Sequence, residues 1–357
     1  MAGPVAGGGG AGLRRFRRLA DLTAVVTFLL IAVGGIVRVS DSGLGCGPGG
    51  SGTKGWPLCS GDVIPIVGDE NTLIEFSHRL LATIVVVLIG LLCWRAYRDL
   101  RGRSSWAFRG SLVAGALVLI QAGLGGLTVE HSLKEELVAA HLGTAMLLFG
   151  LLLWLSFKAR SQGALETGEP VRQPVRGLKP YAATAAILLL GAIVAGGYMA
   201  GTEEEGVNEV GPNIAGAHLA CGHQFPTCGD GKFLPFGTNR LTDIHLTHRV
   251  FVYAATIAII VLLSVAYARG SRDRLLALAA LLLLCQLLLG ALNVWLGEHA
   301  PLIVAHLATA TLLWATVISI AYRIAWLPSP STARDRDSRT APALRPFTDI
   351  VTLCRFG

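Results

Sequence analysis

Four histidines occupy matched positions in two distant parts of the sequence. The repeated strings are Ser77-His78-Arg79 with Thr247-His248-Arg249, and Ala140-His141-Leu142 with Ala305-His306-Leu307. Gln121 precedes the second histidine of the first set by 20 residues, and Gln286 does the same in the second set. A neutral imidazole is a ligand for transition metals and for haem iron, so the two pairs predict two such sites.

The two sets differ three residues before their first histidine, where the first has Glu75 and the second has His245. Positions i and i+3 share one face of a helix, so we expect Glu75 to point toward whatever His78 binds. A carboxylate there can accept a proton or position a water molecule. A glutamate in the first turn is also favoured by the helix dipole, and this structural role is the alternative. The difference predicts that the first set performs chemistry and the second holds a cofactor.

Two cysteine pairs are also matched, since Cys46 and Cys59 precede the first set and Cys221 and Cys228 precede the second. An extracytoplasmic location permits disulfides. Each pair is interpreted as a structural disulfide that stabilises a loop covering the adjacent set of histidines. The alternative for the first pair is a dithiol that cycles with its disulfide during turnover.

The composition places these residues in a membrane protein. Of the 357 residues 52% are hydrophobic and 15% are charged, and the mean hydropathy is +0.58. This excludes a soluble globular domain, in which about 25% of residues are charged. The basic residues behind the net charge of +7 lie in short loops, where they indicate the topology in the membrane. No nucleic-acid partner is therefore expected.

Apolar stretches of about 20 residues, the length that crosses a bilayer as a helix, predict eight spans. They are placed at 19–39, 74–94, 110–129, 136–157, 181–200, 244–267, 274–297 and 301–325. The matched strings divide them into an N-terminal half, 19–157, and a C-terminal half, 181–325. The predicted fold is an all-α polytopic membrane protein with two pseudo-symmetric four-helix bundles, related by an axis along the membrane normal.

Basic residues cluster before the first span and in alternate loops, whereas the other loops are acidic, for example at 203–205. The positive-inside bias therefore predicts a plasma-membrane protein with both termini in the cytoplasm. Residues 1–18 are then a cytoplasmic segment, 158–180 a cytoplasmic linker, and 326–357 a disordered cytoplasmic tail.

The predicted topology puts the four histidines at one level in the outer leaflet, near the starts of even-numbered helices. Ionisable residues inside a membrane usually face a bundle interior and bind or conduct something. We expect His78 with His141 to hold one haem and His248 with His306 another, because two imidazoles on facing helices can grip one porphyrin. Zinc or copper is less favoured since no cysteine or carboxylate cluster accompanies the pairs. Arg79 and Arg249 could pair with haem propionates or reach toward lipid headgroups.

These residues resemble the haem A synthase family, over nearly all of 19–325. The shared motifs are Gly34-Gly35-Ile36-Val37-Arg38, Ser42-Gly43-Leu44-Gly45-Cys46, Trp56-Pro57-Leu58-Cys59, Glu75-Phe76-Ser77-His78-Arg79, the 121–126 turn and the repeated Ala-His-Leu strings. The resemblance implies an eight-helix enzyme that oxidises the C8 methyl of haem O, through an alcohol, to the formyl group of haem A.

The resemblance also implies roles for individual residues. His78 and His141 would hold the substrate haem, Glu75 would occupy the catalytic acidic position, and His248 with His306 would hold haem b. One departure is a glycine-rich insert at 47–55, which lengthens the interval between the first two cysteines.

The expected function is therefore haem A synthesis for cytochrome oxidase biogenesis. The substrate is haem O within the membrane, and a haem O synthase and oxidase assembly factors are the expected partners. The sequence leaves a homo-oligomer open. The alternatives are a di-haem electron-transfer cytochrome, which bis-histidine ligation fits equally well, and a transporter built from parallel repeats.

Overall fold

A computed structural model describes residues 8–65, 68–102, 104–168, 174–202, 216–297 and 299–326. The acidic residues at 203–205 and the tail from residue 327 onward lie outside these ranges. Within them the secondary structure is helical, and the loops contain the isolated bridges Cys59 with Asp62 and Cys228 with Lys232.

Eight helices of the described chain are long and apolar enough to cross a membrane, which confirms the predicted number. They are α1 (Gly8–Val39), α2 (Glu70–Leu100), α3 (Ser105–Glu130), α4 (Glu135–Thr167), α5 (Lys179–Gly201), α6 (Arg240–Ala268), α7 (Arg274–Leu296) and α8 (Ala300–Ile320). A π-helical turn, Ala321–Trp326, continues α8.

Several helices are longer than predicted, and packing outside the apolar spans explains the difference. Helix α1 begins at Gly8 instead of residue 19, so part of the predicted N-terminal segment is helical. Phe16 is fully buried in this extension, and its ring meets the edge of Trp106. Helix α4 extends ten residues beyond its predicted end, into the predicted linker, and there Gln162 accepts a hydrogen bond from Trp106. Hydropathy detects only the segment that lipid requires to be apolar.

The helices follow one contact pattern in each half. Helix α1 packs against α2 and α4, and α3 packs between α2 and α4. In the second half α5 contacts α6 and α8, and α7 contacts α6 and α8. Helices α4 and α5, α1 and α8, and α4 and α8 join the halves. The division into two pseudo-symmetric bundles stays a prediction, and these contacts support it.

Small residues bring the helices of the two halves close together. Gly35 of α1 lies against Leu307 of α8, and Gly150 of α4 lies against Trp314 of α8, whose indole donates to the carbonyl of Met146. Glycine at such positions lets membrane helices approach closely, and dispersion between the side chains then stabilises the contact. Contacts between α4 and α8 therefore join the two halves within a core to which all eight helices contribute.

Candidate haem-binding and active site

The helices that carry the histidines begin in matched ways. Asp69 caps α2 by accepting from the backbone N–H of Thr72 at 2.7 Å, and Asn239 caps α6 by accepting from that of Thr242 at 2.8 Å. A side-chain oxygen at this position satisfies one of the free N–H groups of the first turn. The hydrogen bond from Thr72 also lowers the pKa of Asp69. His78 and His248 each follow their cap by nine residues, so equivalent caps set them at equivalent heights.

The structure brings the histidines together in the predicted pairs. His78 and His141 lie within range of electrostatic interaction, and so do His248 and His306. Each residue is half-buried. In three of them, all except His248, Nδ1 is fully buried and has no hydrogen-bond partner among the described residues. The exposed part of these rings is therefore away from Nδ1.

The second pair is held by more hydrogen bonds than the first. The Nδ1 of His248 lies 3.0 Å from the carbonyl oxygen of Ala192 in α5, and Nε2 of His306 lies 3.0 Å from the amide nitrogen of Gln286 in α7. In the first half the corresponding Gln121 donates to the backbone carbonyl of His141, at 2.9 Å, and leaves the ring unbound. The two glutamines, first noted only as marks of the repeat, thus contact the histidine of the next helix.

This donor set fits haem iron better than a bare metal ion. No group of three or more histidine, cysteine or carboxylate side chains with metal-binding geometry occurs among the described residues. A structural metal such as zinc usually has four protein ligands, whereas haem iron needs only one or two because the porphyrin supplies the others. The bond between His248 and Ala192 places a proton on Nδ1 and leaves the lone pair of Nε2 for a metal, which is the usual arrangement of ligating histidines.

Glu75 is buried beside the first cysteine pair. Its Oε2 accepts from the backbone N–H of Cys46 at 2.7 Å, and its Oε1 forms an ion pair with Arg79, one helical turn further along. Gly45 makes this approach feasible, because a Cβ there would lie 2.5 Å from the backbone of Asn71. The loop therefore fits tightly on the start of α2. In the second half the ring of His245 instead contacts the carbonyl of Ala217, at 2.9 Å.

Both arginines that follow a histidine bind the loops. Arg79 donates to the carbonyls of Gly55 and Leu58, at 2.6 and 2.8 Å. Arg249 donates to the carbonyls of Thr227 and Gln224, each at 2.8 Å, and its guanidinium lies 5.5 Å from the ring centre of Phe225. The prediction that they contact propionates stays untested. In the structure they fasten each loop to the start of the helix that carries the first histidine of its half.

The four loop cysteines form two disulfides, as the matched spacing indicated. Cα atoms lie 4.4 Å apart in Cys46–Cys59 and 4.7 Å apart in Cys221–Cys228. Sequence reasoning missed what holds the glycine-rich insert. The backbone N–H of Gly52 donates to the carboxylate of Glu130 at 3.2 Å, which fastens the insert to the end of α3. The insert is therefore compatible with the disulfide.

Comparison with known proteins agrees with this arrangement. A family model described as "Cytochrome oxidase assembly protein" matches residues 17–318, which extend from within α1 to within α8. The chain belongs to this family. Two of the relatives are named "Heme A synthase". The protein from Exiguobacterium sibiricum is 34% identical over 188 residues, which cover 50% of this chain and 59% of that protein. The second, of Shouchella clausii, is 31% identical over 184 residues, 50% of this chain and 57% of that protein. The chain thus spans less than three fifths of the length of these curated relatives.

Membership in the cytochrome oxidase assembly family bears on the fold of the chain. It identifies the chain as a multi-pass membrane protein, which agrees with the eight apolar helices. The roles of individual histidines, of Glu75 and of the arginines are not given by the match and are argued below.

Proposed function

We propose that the chain is a haem A synthase, an oxidoreductase that converts the C8 methyl of haem O, through an alcohol, into the formyl group of haem A. The observation that carries the proposal is the pairing of His78 with His141 beneath a loop that is fastened to the buried Glu75. The family match and the relatives named "Heme A synthase" support it.

The first half is the proposed substrate site. His78 and His141 would hold the iron of haem O, whose apolar substituents suit a site within the membrane. Neither ring has its Nδ1 held by a hydrogen bond from the described chain, which leaves both rings freer to turn than that of His248. The second half, with His248 and His306, would hold a resident haem b, which when bound supplies electron transfer. The bond that holds Nδ1 of His248 fits a permanent ligand, and Gln286 would have to release Nε2 of His306 when the haem binds.

Glu75 is the proposed catalytic carboxylate. Its position three residues before His78 puts both side chains on one face of α2. The Cys46 N–H and the Arg79 guanidinium hold the carboxylate in place and stabilise its charge. From there it would accept a proton when the methyl group of the substrate is oxidised. The loop and its disulfide cover this side of the site and would limit the access of water.

The test is an analysis of pigments in a host that lacks its own haem A synthase and contains a haem O synthase. The purified full chain is extracted, and its haems are separated by chromatography and identified by mass. Haem A or its hydroxylated precursor is the expected product. Glu75→Gln should retain bound haem and lose product, whereas Glu70→Gln, at an exposed position of the same helix, should retain both. A Glu75→Ala variant with full product formation would exclude the catalytic role.

A di-haem electron-transfer cytochrome is the second candidate, because both carboxylate oxygens of Glu75 have partners in the structure, as in a purely structural ion pair. In that case the wild-type chain contains haem b, and haem O present in the same membranes stays unconverted.

A further inference from the structure

Each proposed haem ligand lies against a glycine of the helix that precedes it in the chain. The four contacts are Gly34 of α1 with His78, Gly125 of α3 with His141, Gly196 of α5 with His248, and Gly290 of α7 with His306. Odd-numbered helices thus supply the glycines and even-numbered helices supply the histidines. The pattern appears twice in each half.

The same edge of the imidazole faces the glycine in all four contacts. A Cβ at the glycine would meet Cε1 of the ring first, at 3.2, 3.3, 2.9 and 3.1 Å in chain order, and Nδ1 second. Ordinary contacts of a Cβ lie between 3.4 and 4 Å. Alanine at any of these positions would therefore push the ring away, by most at Gly196 and by least at Gly125.

The contact at Gly196 shows what this close approach provides. Nδ1 of His248 lies 3.0 Å from the carbonyl of Ala192, one turn before Gly196 on the same helix. Without a Cβ at Gly196 the ring can reach this backbone oxygen, which fixes the proton on Nδ1 and turns Nε2 away. A ligating histidine is oriented by such a bond from its other nitrogen, and losing the bond typically lowers metal affinity about 10- to 100-fold.

Packing of small residues between membrane helices is the alternative explanation for any one of these glycines. Neighbouring glycines show that kind of contact. Gly126 lies against Trp56, and Gly197 against Leu142, with Cβ distances of 2.8 and 3.0 Å. They are as tightly packed as the glycines that face histidines, but they face other side chains. Alanine variants at these positions therefore distinguish general helix packing from positioning of the histidines.

We propose that Gly34, Gly125, Gly196 and Gly290 are positioning residues that set the orientation of the four imidazoles toward haem iron. The proposal rests on the proposed function only in that the histidines bind haem. It assigns the glycines no part in the oxidation itself.

Gly196→Ala is the sharpest variant for testing this, because its contact is the closest and the second half is the proposed site of resident haem. Its matched control is Gly197→Ala, one residue away and equally tight against a side chain that binds nothing. Both are purified as full-length protein. Haem content is measured by pyridine haemochrome, and ligation by absorption and electron paramagnetic resonance spectra. Circular dichroism in detergent checks the helix content.

Gly196→Ala is expected to lower haem affinity about 10-fold or more, or to shift the remaining haem from the low-spin bis-histidine spectrum to a high-spin one. Gly197→Ala should keep the wild-type spectrum. If Gly196→Ala does not fold, Gly290→Ala is the milder variant on the other ligand of that site. On α3, Gly125→Ala should alter the spectrum of added haem O, whereas Gly123→Ala, with nothing within 4 Å, should not.

Identical spectra and haem contents for the wild type and the glycine variants that face histidines would overturn the proposal while leaving the proposed function intact. Equal losses in Gly196→Ala and Gly197→Ala would also overturn it, in favour of helix packing. A wild-type protein that binds no haem would overturn the proposed function, and the positioning role with it.

Discussion

The ion pair between Glu75 and Arg79 makes the first disulfide loop depend on a buried carboxylate, whereas the equivalent loop of the second half is held by the buried Arg249 with His245 in place of the carboxylate. The side chains are 4% and 16% exposed. Replacing Arg79 with methionine would leave the carboxylate buried without its cation and would remove the donors to Gly55 and Leu58. Breaking a buried ion pair by removing one partner costs about 3–5 kcal/mol.

The structure supplies a control in the second half. Arg249→Met removes similar hydrogen bonds from its loop and the contact with the ring of Phe225, but it strands no carboxylate because His245 stands in that place. We expect this variant to cost about 2 kcal/mol, from the loss of charge-assisted hydrogen bonds. Adding Glu75→Gln to Arg79→Met removes the unpaired charge and should bring the cost down to a similar value.

Hydrogen–deuterium exchange read by mass spectrometry measures the opening of each loop. A tenfold change in the opening equilibrium corresponds to about 1.4 kcal/mol, so the cost of breaking the ion pair should accelerate exchange in residues 40–60 of Arg79→Met several hundred-fold. The acceleration cannot exceed the value at which the loop is fully open. Arg249→Met should accelerate exchange in residues 216–239 about 30-fold. Equal acceleration by the two arginine variants, or a double variant that opens as fast as Arg79→Met alone, would refute the argument from buried charge.

Two further predictions concern the same end of the molecule. Replacing Cys46 and Cys59 with serine removes a disulfide whose cysteines are 13 residues apart, and by loop-closure entropy this disulfide stabilises the fold by about 3 kcal/mol. Trypsin should then cut faster at the exposed Lys54, and an unchanged cleavage rate would contradict this. The hydrogen bond from Thr72 lowers the pKa of Asp69 in the folded state. The ionised Asp69 therefore stabilises the fold fully above the ordinary aspartate pKa, and this stabilisation is lost as the pH falls through the lowered pKa. Amide protection of the first turn of α2, corrected for intrinsic exchange rates, should therefore fall in acid. Protection should not fall in Asp69→Asn. It should not fall in α6 either, because the cap of that helix is already an asparagine.

The transmembrane helices could be predicted from sequence because they depend on a local pattern. The pairing of the histidines as haem ligands stays a prediction from the repeated strings. An apolar run of sufficient length has to be helical in lipid, since no water satisfies its backbone. Two strings repeated in register then place His78 opposite His141 in the same way as His248 opposite His306, whatever the details of packing.

The helix extensions could not be predicted in this way, because long-range contacts stabilise them. Phe16 and Gln162 lie outside the apolar spans, and both are ordered by Trp106 of a third helix. The roles of the arginines depend equally on tertiary structure. Arg79 was expected to contact a propionate or a lipid headgroup, but its acceptors are the carboxylate of Glu75 and two carbonyls of a loop whose path no local pattern specifies.

The differences between the halves agree with the proposal that two similar halves bind two haems for two purposes. Caps, disulfides and loop-binding arginines occur in both halves, so these features would serve either proposed haem site. The halves diverge where one loop contacts Glu75 and the other His245, and where Nδ1 of His248 is held by a hydrogen bond whereas Nδ1 of neither histidine in the first pair is. A pair with a held ring and no carboxylate suits a resident cofactor. A less constrained pair beside a buried carboxylate suits a substrate that has to enter, react and leave, and these differences carry the proposed assignment of catalysis to the first half.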